Sequence, residues 1–246
     1  RTLIRSVEGF KAVHIIENPH NLGLAKNIIG GVTQIVNEYG KVIVLEDDLV
    51  TAPYFLTFMN EGLEQFEHEE KIGHIHGHCF PLTNLPDAFL IKWTGSWGWA
   101  TWQRAWSRFN ADGRALLDEI ERRKLSKRFD FNGNYPFTRM LRRQVNGEND
   151  SWAIRWNASL FLADMLSLNA GKSLIQNTGF DGSGIHSGSD DIYATELYTG
   201  RLSIDIGQIE ENIEARKAFE HYYGRTNSFA AKAIRRLRRI RKQIKI

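Results

Sequence analysis

An apolar run that ends in three acids constrains this chain more than any other feature, and it lies in residues 41–49 (KVIVLEDDL). A continuous apolar run of this kind is typical of a strand buried on both faces of a parallel sheet, and ligands of such sheets bind beyond the carboxyl ends of the strands. Three adjacent carboxylates repel one another unless a cation lies among them or their pKa values rise. Hard oxygen ligands favour Mg2+ or Mn2+. Glu46, Asp47 and Asp48 therefore predict a divalent-cation site, with an acidic turn in water as the alternative.

The composition is that of an ordinary globular protein, because 42% of the 246 residues are hydrophobic and 25% are charged. This length suits one large α/β domain, or one domain with a small appendage. Cys79 is the single cysteine, which excludes a disulfide framework and indicates a reducing compartment. The sequence contains no apolar run long enough to cross a bilayer.

The net charge of +3 is unevenly distributed along the chain. Residues 231–246 contain eight of the 32 basic residues and no acid, so the other 230 residues carry 24 basic residues against 29 acidic ones. Apolar residues recur among these arginines at helical spacing, at Phe229, Ile234, Leu237, Ile240 and Ile244. Residues 228–246 therefore predict a basic amphipathic helix that binds an anionic membrane surface. A nucleic-acid arm has the same composition, but the acidic body makes nucleic acid the less favoured partner.

Periodicity along the chain predicts alternating strands and helices. Residues 10–17 (FKAVHIIE) have the pattern of a strand, and residues 24–39 have apolar positions at the helical period and end at Gly40. With the strand that follows they predict a right-handed β-α-β unit, and the abrupt start suggests that Arg1 lies within a domain. Further strands are predicted at 72–78, 88–92, 165–168 and 173–176, and further helices at 112–124, 136–145, 152–163 and 210–223. Asp112 is the predicted cap of the first of these helices. We therefore predict an α/β fold with a mostly parallel sheet flanked by helices in residues 1–224, followed by a basic tail at 225–246.

Four segments around the acids occur in the order found in one enzyme family. Residues 21–27 (NLGLAKN) precede the strand that ends in the acids. Trp97-Gly98-Trp99, Asp150-Ser151-Trp152 and the glycine-rich residues 179–188 (GFDGSGIHSG) follow it. Together they resemble the family 2 type of glycosyltransferase with the GT-A fold, and also the N-acetylglucosaminyltransferases that initiate complex N-glycans. The resemblance spans residues 18–187 and implies a Rossmann-like GT-A domain whose first strand and base-binding loop lie before Arg1.

The resemblance implies an activity and a set of site residues. The implied enzyme is an inverting glycosyltransferase that moves a sugar from a nucleotide-diphosphate donor, with UDP-sugars favoured, to a glycan or lipid-linked acceptor in surface polysaccharide synthesis. Such an enzyme works in the cytoplasm at the inner face of the membrane, in agreement with the predicted basic tail. The implied cofactor is Mn2+ or Mg2+, held by Asp48 and His186. The other implied residues are Asn21, Gly23, Lys26, Glu46 and Asp47 for the donor, Trp97, Trp99 and Trp152 for the acceptor, and Asp150 as the base with Glu148 as the fallback.

Several of these residues also have a structural interpretation. Asp150 lies among good capping residues, so it also fits the cap of the next helix. His186 also fits an exposed loop, and Lys26 also fits a solvated helix face. Tryptophans mostly pack in the core. Trp97 and Trp99 lie among glycines, which favours a role in the binding site over a core role for both.

Two other classes of protein are alternatives to the transferase. His74, His76 and His78 alternate, so on a strand they project from one face, where three imidazoles can bind Zn2+. With the acidic triplet, these histidines would make a metal-dependent hydrolase. The basic tail alone would make a non-catalytic module that binds membranes or nucleic acid.

Overall fold

The structure is a computed structural model that describes residues 2–179, 195–228 and 231. Its strands, in chain order, are β1 (Lys41–Val44), β2 (Leu49–Thr51), β3 (Ile72–His76), β4 (Ala88–Ile91), β5 (Trp99–Trp102), β6 (Leu166–Ala170) and β7 (Ile175–Asn177). Its helices are α1 (Thr2–Arg5), α2 (Leu24–Tyr39), α3 (Phe55–Gln65), α4 (Gln103–Trp106), α5 (Gly113–Arg122), α6 (Ser126–Phe129), α7 (Phe137–Val145), α8 (Trp152–Leu162) and α9 (Ile213–Asn227).

The main sheet contains five strands in the order β1-β5-β3-β6-β4. Among the described strands, β3 and β6 form its one parallel pair, and its other neighbours pair antiparallel. The predicted α/β class is confirmed, but the prediction of a mostly parallel sheet is wrong, because β5 enters between β1 and β3 in the opposite direction. Since β1, β3 and β6 run the same way, their carboxyl ends lie at one edge of the sheet. β2 and β7 form a separate antiparallel pair.

Strand β1 lies at the edge of the sheet and not in its middle. Its residues are half-buried, whereas the apolar run predicted a strand buried on both faces. Residues 10–17, predicted to be a strand, form neither strand nor helix and are exposed. The predicted β-α-β unit therefore lacks its first strand in the part of the chain that the structure describes. The pattern of a strand is local to the segment. A strand also needs a neighbouring strand with which its backbone can pair, and the pattern does not show whether one is present.

Helix α2 confirms the helix predicted at residues 24–39. It ends at Gly40, which adopts φ 78° and donates its N–H to the Val36 carbonyl oxygen. Glycine reaches this left-handed conformation without the steric penalty of other residues. Because Gly40 alone joins α2 to β1, the helix runs back along the strand. The amino end of α2 therefore lies toward the carboxyl end of β1.

Helix α8 covers the face of the sheet that carries His74 and Trp99. The rings of Trp152 and Trp99 stack with their centroids 5.2 Å apart, and the Trp156 indole N–H donates to His74 Nδ1 at 3.1 Å. Helices α2 and α8 share this apolar cluster. The Ser151 hydroxyl caps α8 by accepting the N–H of Ile154 at 3.3 Å. The amino end of α8 thus lies beside the start of β5, opposite the end of β1.

Helix α9 crosses the domain boundary that the sequence predicted between residues 224 and 225. Its Phe219 and Tyr223 are buried in the cluster formed with α5 and α7, so α9 packs as part of the body. The predicted basic tail beyond Ser228 lies, apart from Ala231, outside the described residues. No helix in the described ranges combines the length and the apolar character needed to cross a membrane.

Candidate functional site

The acidic triplet lies at the sheet edge where β1, β3 and β6 end, and Asp48 leads directly into β2. Asp47 is exposed, whereas Glu46 and Asp48 are half-buried. Burial, together with the negative charges of Asp48 and Asp47, raises the pKa of Glu46 from 4.5 to about 7. The three carboxylates are therefore close enough to repel one another, which is the electrostatic condition that favours a bound cation.

Asp48 is held by the last residue of β7 and by the residue that follows it. Asn177 Nδ2 donates to Asp48 Oδ2 at 3.2 Å. The N–H and the hydroxyl of Thr178 both donate to the Asp48 carbonyl oxygen, at 2.8 and 3.0 Å. The β2–β7 ladder sets this arrangement, because it places Leu49 opposite Asn177.

The first residue of the glycine-rich segment touches the same carboxylate. A Cβ atom at Gly179 would lie 2.6 Å from Asp48 Oδ2, so a larger residue there would displace the carboxylate. The structure thus brings together two segments that the sequence places far apart, the acidic triplet and the start of residues 179–188. Residues 180–188, with the predicted metal ligand His186, lie outside the described residues.

The second carboxylate oxygen of Asp48 is buried and has no hydrogen-bond partner within the described residues. An ionised oxygen shielded from water is costly unless a cation or a donor neutralises it. Mg2+ and related hard cations are commonly held by one or two carboxylates together with the phosphates of a ligand, and Asp48 fits that role. Within the described ranges, no group of three or more acids, histidines or cysteines is arranged to hold a metal ion.

The amino end of α2 carries three of the predicted donor-binding residues. Asn21 Oδ1 accepts the N–H of Gly23 at 2.8 Å. Gly23 is the N-cap with φ 75°, and α2 has no side-chain cap among the described residues. An uncapped helix amino end presents backbone N–H groups and a positive dipole to an anion. Asn21, Gly23 and Lys26 are exposed, so all three are accessible to a ligand, and their contact with a donor stays a prediction.

A cleft of about 560 Å3 lies beside this helix end, lined by residues 15–24 with Ile4 and Asn27. The cleft includes Asn21 and Gly23, but none of the three acids is among its described lining residues. Much of its wall is the exposed segment 15–20, which forms neither helix nor strand. The acids and their hydrogen bonds, and not this cleft, define the candidate site.

Asp150 lies two residues before α8, with its side chain 68% exposed and its Oδ1 accepting a hydrogen bond from Arg155 Nη2 at 2.9 Å. Arg155 is buried, and its guanidinium also donates to the carbonyl oxygens of Ser151 and Ala111, at 3.1 and 3.3 Å. Ser151, and not Asp150, caps α8, so the capping alternative for Asp150 is wrong. The buried arginine instead holds one oxygen of an otherwise accessible carboxylate.

Glu148, the fallback base, is an exposed residue in an ion pair with Arg143 at 2.9 Å. The hydrogen bond from Arg143 lowers the pKa of Glu148. A lower pKa makes a weaker base. Both carboxylates accept a hydrogen bond from an arginine, and the choice of Asp150 as the base stays a prediction.

The three tryptophans predicted to bind the acceptor divide into two groups. Trp99 and Trp152 are 0% and 3% exposed and stack on each other, so neither offers a ring face to a sugar, and the core interpretation applies to both. Trp97 is half-buried. The rings of Trp97 and His78 form a T-shaped pair with their centroids 4.7 Å apart. It precedes β5 and so lies at the same sheet edge as the acids. Trp97 alone keeps its predicted role.

His74, His76 and His78 project from one face, as their alternation predicted, with neighbouring ring centroids 6.1 and 5.9 Å apart. All three are buried. Burial lowers the pKa of His74 to about 3 and the pKa of His76 well below 6.5. The His74 ring stacks on Trp99 at 5.3 Å. The burial of all three rings and the stacking of His74 on Trp99 favour a core role over the zinc site of a hydrolase.

Sequence reasoning missed Asn177 and the anchoring role of Thr178. Their only signal in the sequence is their position between a predicted strand and the glycine-rich segment. Which acid they meet depends on the β2–β7 register, and that register is not readable from either segment alone.

No protein-family profile matches the sequence, and no curated protein matches it.

Proposed function

We propose that this protein is a divalent-cation-assisted glycosyltransferase of the GT-A type. It moves a sugar from a nucleoside-diphosphate donor, with UDP-sugars favoured, to a glycan or lipid-linked acceptor with inversion. The proposal draws on the α/β class and on the common edge where β1, β3 and β6 end. The observed sheet is mixed, and the proposal does not require a parallel one.

One observation carries the proposal, namely the state of the Asp48 carboxylate. Its Oδ1 is buried without a partner in the described residues, and its charge contributes to the raised pKa of the neighbouring Glu46. A cation bound to Asp48 would relieve both the desolvation and the repulsion. Mn2+ or Mg2+ bound there supplies positive charge to the diphosphate that leaves the donor sugar.

The amino end of α2, which lies toward the carboxyl end of β1, suits a diphosphate ligand. Asn21 and Gly23 form the exposed turn before α2, whose amino end attracts phosphate oxygens. Lys26 adds a positive charge in the first turn of the helix. Asp47 is exposed, and in this proposal it binds waters or ribose hydroxyls. His186 stays a predicted second ligand.

Asp150 is the proposed base. Inversion in one step requires a group that takes the proton of the acceptor hydroxyl while the new glycosidic bond forms and the bond to the diphosphate breaks. Arg155 fixes one oxygen of Asp150, and the exposed remainder of the carboxylate is accessible to an acceptor. Trp97, at the same sheet edge, is the proposed apolar wall for the acceptor.

Peripheral attachment at the inner face of a membrane belongs to the same proposal. It draws on the sequence of residues 228–246, with its eight basic residues among apolar ones. A lipid-linked acceptor would then be met at the membrane surface.

Thermal unfolding with nucleoside diphosphates tests the proposal. A ligand that binds only the folded protein raises its melting temperature, so we expect UDP and Mn2+ together to raise Tm more than either alone. Asp48→Ala should abolish the joint effect, whereas Asp118→Ala, at an exposed acid on α5, should retain it. No joint effect with UDP, GDP, ADP or CDP would reject the proposal.

A second experiment tests the base. Asp150→Asn should lower sugar transfer from UDP-sugars by about 100-fold or more, while binding of UDP with Mn2+ is retained. An unchanged transfer rate in this variant would remove Asp150 from the mechanism.

A further inference from the structure

We infer that Asn177 is a positioning residue that orients the Asp48 carboxylate for its cation. The inference rests on the proposed function, because it assigns the residue that prepares the same site. The inference goes beyond the proposed function because it assigns a role to Asn177, a residue that sequence reasoning missed.

Both ends of the Asn177 amide are engaged, so its orientation is fixed. Its Nδ2 donates to Asp48 Oδ2 at 3.2 Å, and its Oδ1 accepts the N–H of Gly179 at 2.7 Å. An aspartate in this position would place a second negative charge against Asp48. An amide, by contrast, presents a donor to the carboxylate and an acceptor to the backbone.

This orientation separates the two oxygens of Asp48 by role. Oδ2 accepts the hydrogen bond from Asn177, whereas Oδ1 is buried and has no partner among the described residues. Residues that bind the ligands of a metal fix the ligands' orientation, and their loss commonly lowers metal affinity by about 10- to 100-fold. Asn177 occupies that position relative to Asp48.

The main chain around Asp48 is held independently of the Asn177 side chain. Thr178 donates twice to the Asp48 carbonyl oxygen, and Leu49 pairs with Asn177 through the backbone ladder. Removing the Asn177 amide should therefore release the carboxylate while the β2–β7 pair stays in register. The effect of the Asn177 side chain can therefore be measured separately from that of the backbone contacts.

Gly179 lies close to the same carboxylate and leaves no room for a side chain beside it. A Cβ there would lie 2.6 Å from Asp48 Oδ2 and 3.1 Å from Asn177 Oδ1. Oδ2 therefore has two close neighbours, an amide donor and a residue without a side chain. We expect Gly179→Ala to disturb the same carboxylate without removing any hydrogen-bonding group.

Mn2+ titrations followed by electron paramagnetic resonance, with UDP present, test the inference on the full chain. We expect Asn177→Ala to weaken Mn2+ binding by about 10- to 100-fold. Asn177→Gln keeps the amide and should retain more affinity than Asn177→Ala. Thr178→Val is the matched control, since it removes a hydrogen bond to the Asp48 backbone and leaves the carboxylate contacts intact.

The outcomes separate this inference from the proposed function. If the wild-type protein binds Mn2+ with UDP and Asn177→Ala binds it equally well, the positioning role is wrong and the proposed function stands. An equal loss in Thr178→Val and Asn177→Ala would also overturn it, because the loss would then follow from general destabilisation. If the wild-type protein binds no Mn2+ with UDP, the proposed function fails and this role fails with it. Should Asn177→Ala not fold, Gly179→Ala decides, and wild-type affinity in that variant would contradict the positioning role.

Discussion

At the scale of single residues, His74 and Glu46 show how burial sets charge near the candidate site. His74 lies under α8, where it accepts the Trp156 indole N–H at 3.1 Å, and burial lowers its pKa to about 3. Burial and two neighbouring acids raise the pKa of Glu46 to about 7. The histidine is therefore neutral at pH 7, whereas Glu46 exchanges its proton near that pH. Of the two, Glu46 is the group whose charge a bound cation would change.

The buried histidine predicts a stability that falls in acid. The unfolded chain binds a proton at His74 with a pKa near 6.5, whereas the folded chain binds it near pH 3. Between these values the unfolded state holds more protons, so the free energy of unfolding falls as the pH falls, by about 1.4 kcal/mol per pH unit for such a histidine. Urea unfolding from pH 7.5 to 4.5 measures this slope.

Two variants locate the effect. His74→Asn keeps an acceptor for Trp156 and should reduce the slope, while His68→Asn, at an exposed residue, should leave it unchanged. Equal slopes in wild type and His74→Asn would show that His74 does not cause the acid sensitivity.

At the scale of elements, local signals predicted the helices and left strand pairing undetermined. Asp112 caps α5 by accepting the N–H groups of Arg114 and Ala115, and Gly40 ends α2. Both follow from residue type and period, and both were predicted. The placement of β5 between β1 and β3 depends on contacts between distant segments, so the predicted parallel sheet was wrong.

The same limit applies to the site. The acids and the start of the glycine-rich segment were predicted as parts of one site, and Asp48 and Gly179 do lie together. The burial of Trp99 and Trp152 was not predicted, because it depends on how α8 packs over β5. The exposure of a candidate residue therefore could not be predicted from the sequence, because it depends on packing between distant segments.

The cap of α8 gives a prediction at this scale. Ser151→Ala should cost about 1 kcal/mol of stability, because it removes the acceptor for the Ile154 N–H. Since Asp150 and the Arg155 contact to the Ser151 carbonyl lie at this helix end, kcat for sugar transfer should fall as well.

The matched comparison is Asp112→Ala, which removes the cap of α5 and should cost a similar amount of stability. Asp112 is not among the proposed site residues, so we expect its kcat to stay at the wild-type value. A fall in kcat of the same size in both variants would show that the loss reflects stability and not the geometry of Asp150.

At the scale of the whole molecule, charge divides the chain into two parts. Residues 231–246 carry eight basic residues and no acid, and the other 230 residues carry five more acids than bases. Basic residues near an anionic bilayer contribute about 1 kcal/mol each. The charge pattern therefore favours attachment to an anionic membrane through residues 231–246, because the rest of the chain has a net negative charge that such a membrane does not attract.

Flotation with liposomes tests this division. The full chain should float with vesicles that contain phosphatidylserine and remain behind with neutral phosphatidylcholine vesicles. Raising the salt concentration should weaken the attachment, because it screens these charges. Replacing the eight basic residues of 231–246 with glutamine should abolish flotation. Flotation of that variant, or co-purification of RNA with a wild-type chain that does not float, would contradict a membrane role for the tail.

The most direct measurement is calorimetric titration of UDP into the protein with and without Mn2+. We predict that the wild-type chain and Asp118→Ala bind UDP in a Mn2+-dependent manner, and that Asp48→Ala loses the dependence on Mn2+. Equal binding of UDP and Mn2+ by Asp48→Ala and wild type would contradict a cation site at the acids that follow β1.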